Sequence, residues 1–224
     1  MKPRIILLLV FGSYLHLLNA QDIPANNNET ESSKYAYSFR FEVSTSQAGN
    51  ISQYNNNLGG FATGLQFIRN QNKNLSIVTG IDYLRRGGSG QVNFHNVYND
   101  IVGGYTQNLY LHYLSIPLMA RFESNGNKMR FVGGMGMYYA LLLDAWVNPQ
   151  DAALSHDITR RFYRNDFGLI GMAGIAWHIN KQDKLNLLLR YQPGLLNMSD
   201  QTTSLGGQNN SYGIEIGIIH NLQF

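Results

Sequence analysis

Ser155-His156-Asp157 sets side by side the three residue types of a hydrolytic triad. Such triads are assembled in space from separated positions, and sequence neighbours do not readily reach the nucleophile–base–orienter geometry. The string is read as loop sequence, and no enzymatic activity is expected from it. Two arginine groups carry a different chemistry. Arg160, Arg161 and Arg164 flank Phe162 and Tyr163, and Arg85 and Arg86 are adjacent; guanidinium forks grip phosphate in a bidentate manner. A third set is mixed in sign: Arg40, Arg121, Arg130 and Arg190 against Glu42, Asp82, Asp166 and Glu215. Four cations and four carboxylates fit a network of buried ion pairs, because buried charge is tolerated only when paired. His95, His112, His178 and His220 show no HExxH or paired spacing, cysteine is absent, and no glycine loop of the phosphate-cradling kind is present. No metal, cofactor or disulfide is expected.

The mixed-charge set is organised by the segments that carry it. Alternation of apolar and polar residues marks eight strand-like stretches: Tyr37–Thr45, Phe61–Ile68, Leu75–Arg85, Tyr110–Phe122, Met129–Leu141, Asp166–Ile179, Leu185–Leu195 and Ser211–Phe224. Successive strand side chains point to opposite faces. In the first stretch Phe39, Phe41 and Val43 take one face, and Arg40, Glu42 and Ser44 the other. In the last, only Ile219 and His220 break the rule. All eight members of the mixed set fall on the non-greasy face. So do Gly64, Gly80, Gly134, Gly136, Gly168, Gly174, Gly194, Gly213 and Gly217, which leave room for long arginines and permit tight curvature. Pro117 removes a ladder hydrogen bond inside the fourth stretch, which is expected to bulge or bend there, or to start after it.

The connections alternate in length. Asn70–Asn74, Glu123–Lys128 and Asn180–Lys184 are short; Gln47–Gly60, Arg86–Leu109, Leu142–Asn165 and Asn197–Asn210 are long. Composition agrees with an unusual solvent. Charged residues make up 14% of the chain, against about 25% in ordinary soluble domains. Residues 1–20 hold Lys2, Arg4 and the run Ile5–Phe11, and describe a secretory signal cut after Ala20. Without a cysteine the exported chain has no lipid anchor. Removing Lys2 and Arg4 leaves 15 basic against 14 acidic residues, with no basic tract for nucleic acid. Residues 21–36 form a polar leader. No later apolar run is long enough for a membrane helix, so insertion must use strands.

These observations predict an all-β, eight-stranded antiparallel up-and-down transmembrane β-barrel over residues 37–224, in the bacterial outer membrane. Short turns face the periplasm, and long loops face outward. An interior of this size is filled by side chains, which assigns the mixed-charge set to a plugged lumen. Arg85, Arg86, Arg160, Arg161 and Arg164 then fall at the outer rim, within reach of lipopolysaccharide phosphates. Tyr35, Tyr37, Tyr83, Tyr139, Trp177, Tyr191 and Tyr212 form interfacial girdles. Phe224 is the terminal aromatic expected to be read by the barrel-assembly machinery.

Three strings carry a family resemblance. Tyr113-Leu114-Ser115-Ile116-Pro117-Leu118, Asp166-Phe167-Gly168-Leu169-Ile170-Gly171-Met172-Ala173-Gly174-Ile175 and Leu189-Arg190-Tyr191-Gln192-Pro193-Gly194-Leu195-Leu196-Asn197 resemble strands of the outer-membrane beta-barrel domain common in Bacteroidota, porin-like or PorT-like. The resemblance covers about Phe39 to Phe224. It implies a barrel in the outer membrane and supplies no catalytic residues. The expected role is structural or interactive in the cell envelope. The alternatives are a PorT-like component of type IX secretion, a lipid-modifying enzyme and a small-solute porin.

Overall fold

The computed structural model describes residues 33–48, 56–126, 128–149, 156–196 and 208–222, with the side chains of Pro149, His156 and Arg161 excluded. The signal, most of the leader, Ser155 and Phe224 lie outside the described residues. The chain forms β1 (Tyr35–Ala48), β2 (Leu58–Asn70), β3 (Leu75–His95), β4 (Ile101–Glu123), β5 (Met129–Pro149), a two-residue β6 (His156–Asp157), β7 (Asn165–His178), β8 (Asp183–Pro193) and β9 (Asn209–Leu222). A 3-10 turn, Thr159–Arg161, follows β6.

Eight long strands close into a ring. Each of β1 to β5 pairs with the next, β5 pairs with β7, β7 with β8, β8 with β9, and β9 returns to β1, always antiparallel. The closing seam runs from Tyr35↔Leu222 to Ala48↔Asn209. Closure leaves neither side of the sheet with an open edge within the barrel wall, which is the condition for strands to survive in hydrocarbon. β6 hangs on β5 through Trp146↔Asp157 and Val147↔His156.

The alternation sorts the side chains as the sequence predicts. Leu65, Ile81, Ile116, Met135, Leu189 and Ile214 are exposed on the outer wall, while Arg40 and Glu42 are 0% and 2% exposed inside it. Tyr37 and Trp177 stand outward at the short-turn end; Tyr83, Tyr139, Tyr191 and Tyr212 stand outward towards the other, where Tyr191 and Tyr212 stack at 4.7 Å. Two of the short turns share one chemistry. The Asn72 side-chain oxygen accepts hydrogen bonds from the backbone of Asn74 and Leu75, and that of Asn180 accepts from Gln182 and Asp183.

Several strand limits differ from the sequence expectation. The stretch Arg86–Leu109 is not a loop: β3 and β4 continue through it as a ribbon that turns only at Asn96–Asp100. There Asn96 caps the backbone of Tyr98 and Asp100, and Asn99 takes the left-handed conformation at φ 65°. β5 likewise runs on to Pro149. Above the apolar band both strand faces are polar or mixed, so the alternation that marks a strand fades although the hydrogen-bonded ladder continues. β4 also passes through Pro117 without a bulge. Its pairing with β3 lapses between Thr79↔Leu118 and Asp82↔Ser115 and resumes in the same register, while Pro117↔Tyr138 stays paired on the β5 side. The proline's missing N–H is absorbed by one ladder only.

Candidate functional site

The inward faces of seven strands bring the charged residues together in three groups, one above another along the barrel. The middle group is centred on Arg40. Its Nε and Nη2 donate to the two oxygens of Asp82 at 2.9 and 2.7 Å, and its Nη1 donates to Glu42 at 2.8 Å and to Glu215 at 3.0 Å. Arg190 enters from β8, donates to Glu215 at 2.8 Å and faces Glu42 and Asp82 at 3.8 and 3.9 Å. These five residues come from β1, β3, β8 and β9, and all are buried. Register explains the meeting. Arg40 pairs across to Gly64 on one side and Gly217 on the other, and Gly64 pairs with Asp82. A Cβ on Gly64 would lie 1.9 Å from an Asp82 oxygen, so only glycine admits the bidentate contact.

The second group lies toward the short turns. Arg121 donates to Asn186 at 3.1 Å and pairs with Glu123 at 2.8 Å; Lys184 reaches the same carboxylate at 3.0 Å, and Arg130 approaches it at 3.7 Å. The third group lies toward the long loops. Arg86 donates to Tyr138 at 3.1 Å and also bonds Gln192, and Tyr138 donates to Asp166 at 3.2 Å.

Of the eight predicted lumen residues, Arg40, Glu42, Asp82, Arg190 and Glu215 form one network, and Arg121 and Asp166 are buried in the groups on either side. Arg130 is displaced to the rim: its side chain is 27% exposed and its Nε donates to the Gly126 carbonyl. The larger correction concerns Arg86. It is not at the outer rim; it is 3% exposed and points inward, because β3 continues past Arg85 and places residue 86 on the face shared by Asp82 and Leu84. Arg85 faces outward, over the rings of Phe61 and Tyr110 at 5.0 and 5.3 Å. Arg160 and Arg164 are exposed near the 3-10 turn; the Arg161 side chain lies outside the described residues.

Sequence reasoning missed Glu123, Lys184 and Tyr138; Asn186 and Gln192 alternate onto the inward face with Arg190, and their place in the network is what the sequence leaves unsaid. Strand parity carried the signal. Glu123 lies two residues beyond Arg121, Lys184 two before Asn186, and Gln192 two beyond Arg190, but the polar segments that hold Glu123 and Lys184 read as turns. The interior is also less uniformly polar than expected. Ile68, Val78, Met119, Ile170 and Leu188 are buried within the ring, and Leu84, Leu109, Leu111 and Leu142 lie toward the long-loop end. Apolar side chains thus share the interior with the charged groups.

Asp157 of the Ser155-His156-Asp157 string has its own local use. Asp157 accepts hydrogen bonds from the Thr159 N–H at 2.9 Å and its hydroxyl at 2.6 Å, and that hydroxyl oxygen accepts from the Ala145 N–H at 2.9 Å. The carboxylate pins the segment after β6 to β5. Those two bonds from Thr159 hold the Asp157 carboxyl below its usual range.

Sequence and structure comparisons agree on the class of molecule. A family model described as outer membrane protein beta-barrel domain matches residues 19–200. No curated protein matches the chain. Among solved structures, Neisserial surface protein A is similar at 11% identity and a TM-score of 0.51, over 86% of this chain and 99% of that one. Ail of Yersinia pestis shows 12% identity and a TM-score of 0.45, over 84% of this chain and 99% of its own, in a complex with the heparin analogue sucrose octasulfate. OprG from Pseudomonas aeruginosa shows 12% identity and a TM-score of 0.46, over 87% and 98%. With a family match across most of its length and a closed ring of eight antiparallel strands, this chain belongs to the outer-membrane β-barrel domain family and is a protein of the bacterial outer membrane.

Proposed function

We propose that the protein serves as a closed envelope barrel, with a structural or interaction role exerted through its wall and its long-loop end. In this reading it is neither a solute pore nor an enzyme. Export follows cleavage after Ala20, the short turns face the periplasm and the long loops face outward. The observation that carries the reading is the Arg40 network: five charged side chains from four strands meet at hydrogen-bond or near-hydrogen-bond distance across the middle of the ring. Interior arginines and carboxylates that pair with one another occupy the space a solute would need. Planar-bilayer recording of the purified mature protein tests this. Silence at neutral pH is expected, and a stable, reproducible unit conductance would overturn the closed-barrel reading.

A second reading is a PorT-like component of type IX secretion. The three strings at Tyr113–Leu118, Asp166–Ile175 and Leu189–Asn197 favour it through their resemblance to the Bacteroidota barrel domain. A deletion strain that still exports type IX cargo would remove it.

A further inference from the structure

We propose a binding site on the outer wall for the phosphate of a lipopolysaccharide glycolipid, built on Arg85 where it rests over the rings of Phe61 and Tyr110. The site rests on the outer-membrane orientation proposed above. Four adjacent strands place Phe61, Arg85, His112 and Asp144 in a single outward row, since Phe61 pairs with Arg85, Arg85 with His112, and His112 with Asp144. Tyr83 lies one step below Arg85 on the same face and hydrogen-bonds His112 Nδ1. Below the row the wall is apolar, with Leu65, Ile81, Leu114 and Ile116 exposed. From Leu75 to Arg85 the strand rises ~33 Å. At the usual tilt this is ~25 Å along the membrane normal, the height of a barrel's apolar band. The row therefore lies where acyl chains give way to headgroups.

Arg85 is the open cation of this row. Its guanidinium rests on the Phe61 and Tyr110 rings, its Nη2 makes one long contact of 3.5 Å to the Gly59 carbonyl, and its Nε is buried without a hydrogen-bond partner. Among the described residues no carboxylate pairs with it. Asp144, the row's carboxylate, lies on the far side of His112 and faces that ring's Nε2 at 3.8 Å. An arginine held against apolar wall and rings with free donors needs an anion from outside the chain. A lipid phosphate at headgroup height supplies it, while the acyl chains of the same molecule cover Ile81, Leu114 and Leu65.

The test uses mature protein in detergent, native mass spectrometry and three probes: diphosphoryl lipid A, the same glycolipid with both phosphates removed, and inorganic phosphate. The diphosphoryl form should bind roughly tenfold tighter than the dephosphorylated form. Arg85→Gln should abolish that preference, and Arg164→Gln should leave it within about twofold. Heat-modifiable migration on a gel checks that each variant is a closed barrel. Should Arg85→Gln fail to fold, Arg85→Lys, which keeps the charge and loses the fork, is expected to lose a few-fold in affinity. Unchanged preference in the Arg85 variants, equal binding of the dephosphorylated lipid, or equally tight binding of inorganic phosphate would each overturn the assignment. A wrong orientation would show separately, as long loops inaccessible to surface labelling in intact cells.

Discussion

Replacing Arg40 by methionine isolates what the interior network contributes. The substitution keeps most of the side-chain volume, so cavity effects are small, and it deletes four charge-assisted hydrogen bonds, two to Asp82 and one each to Glu42 and Glu215. At about 1.5–3 kcal/mol each, their simple sum would be roughly 6–12 kcal/mol. That sum is a ceiling, because Arg190 remains. It already bonds Glu215 at 2.8 Å and needs to close only from 3.8 and 3.9 Å to serve Glu42 and Asp82. Removing one partner of a buried pair typically costs about 3–5 kcal/mol, and with Arg190 sharing the load we expect ~4 kcal/mol. The assay is reversible urea unfolding in lipid vesicles, read by the gel mobility of folded and unfolded forms. A second substitution completes the argument. Arg40→Met with Asp82→Leu removes the stranded carboxylate, and the double variant should recover about 2 kcal/mol relative to additivity. A single-variant loss below about 1 kcal/mol, or strictly additive losses in the cycle, would refute a mutually dependent network.

Two further perturbations separate the inner wall from the outer wall and the barrel from its loop. Gly64→Ala drives a methyl into the Asp82 carboxylate and should destabilise by about 2–3 kcal/mol, whereas Gly171→Ala, with nothing within 4 Å of the new atom, should change stability by less than about 0.5 kcal/mol in the same unfolding assay. Asp157 is an acid whose folded value is depressed by its Thr159 bonds, so the stabilisation it gives the loop is present above the unfolded carboxylate value and is lost as pH falls through the lower, folded one. Thr159→Val should raise the Asp157 titration midpoint followed by carboxyl NMR and make hydrogen exchange at the Ala145 amide faster; an unmoved midpoint would deny the link.

The wall of the barrel was legible because lipid outside and ion pairs inside impose opposite demands on alternate residues. Phe39, Phe41 and Val43 against Arg40 and Glu42 carry that contrast without ambiguity, and the residues assigned to the lumen in the membrane-height part of each strand lie where parity placed them. Above that height the contrast disappears. Residues 87–95 and 101–108 pair as strands through backbone hydrogen bonds that leave no mark on side-chain type, so a ribbon read as loop, and Arg86 moved from rim to interior with it. Glu123 and Lys184 failed for a related reason. Charged residues beside a turn look like turn, although each continues its strand's inward parity. Which arginine meets which carboxylate was not legible at all, because that depends on the stagger between strands, and composition does not encode stagger.

Stagger is also where the network has its strongest effect. An ion pair buried among side chains is not intrinsically better than well-packed hydrocarbon, since desolvation offsets much of the attraction. Its value lies in the alternatives it forbids. Shifting β1 by one residue would turn Arg40 and Glu42 toward lipid and bring Phe39, Phe41 and Val43 into an interior with no room for them. A barrel arginine at the bilayer midplane costs about 2–4 kcal/mol, and the two carboxylates left behind, Asp82 and Glu215, would share Arg190 alone. A shift by two would restore parity but slide Arg40 off Gly64, the neighbour whose lack of a side chain lets the guanidinium reach across to Asp82. The buried apolar side chains of Ile68, Val78, Leu84 and Leu188 share the interior with the pairs and lower the dielectric around them, which sharpens both the attraction in register and the penalty out of it. The charges inside this wall therefore act mainly as the device that selects one closure of the ring from its neighbours, and the glycines opposite them are part of the same device.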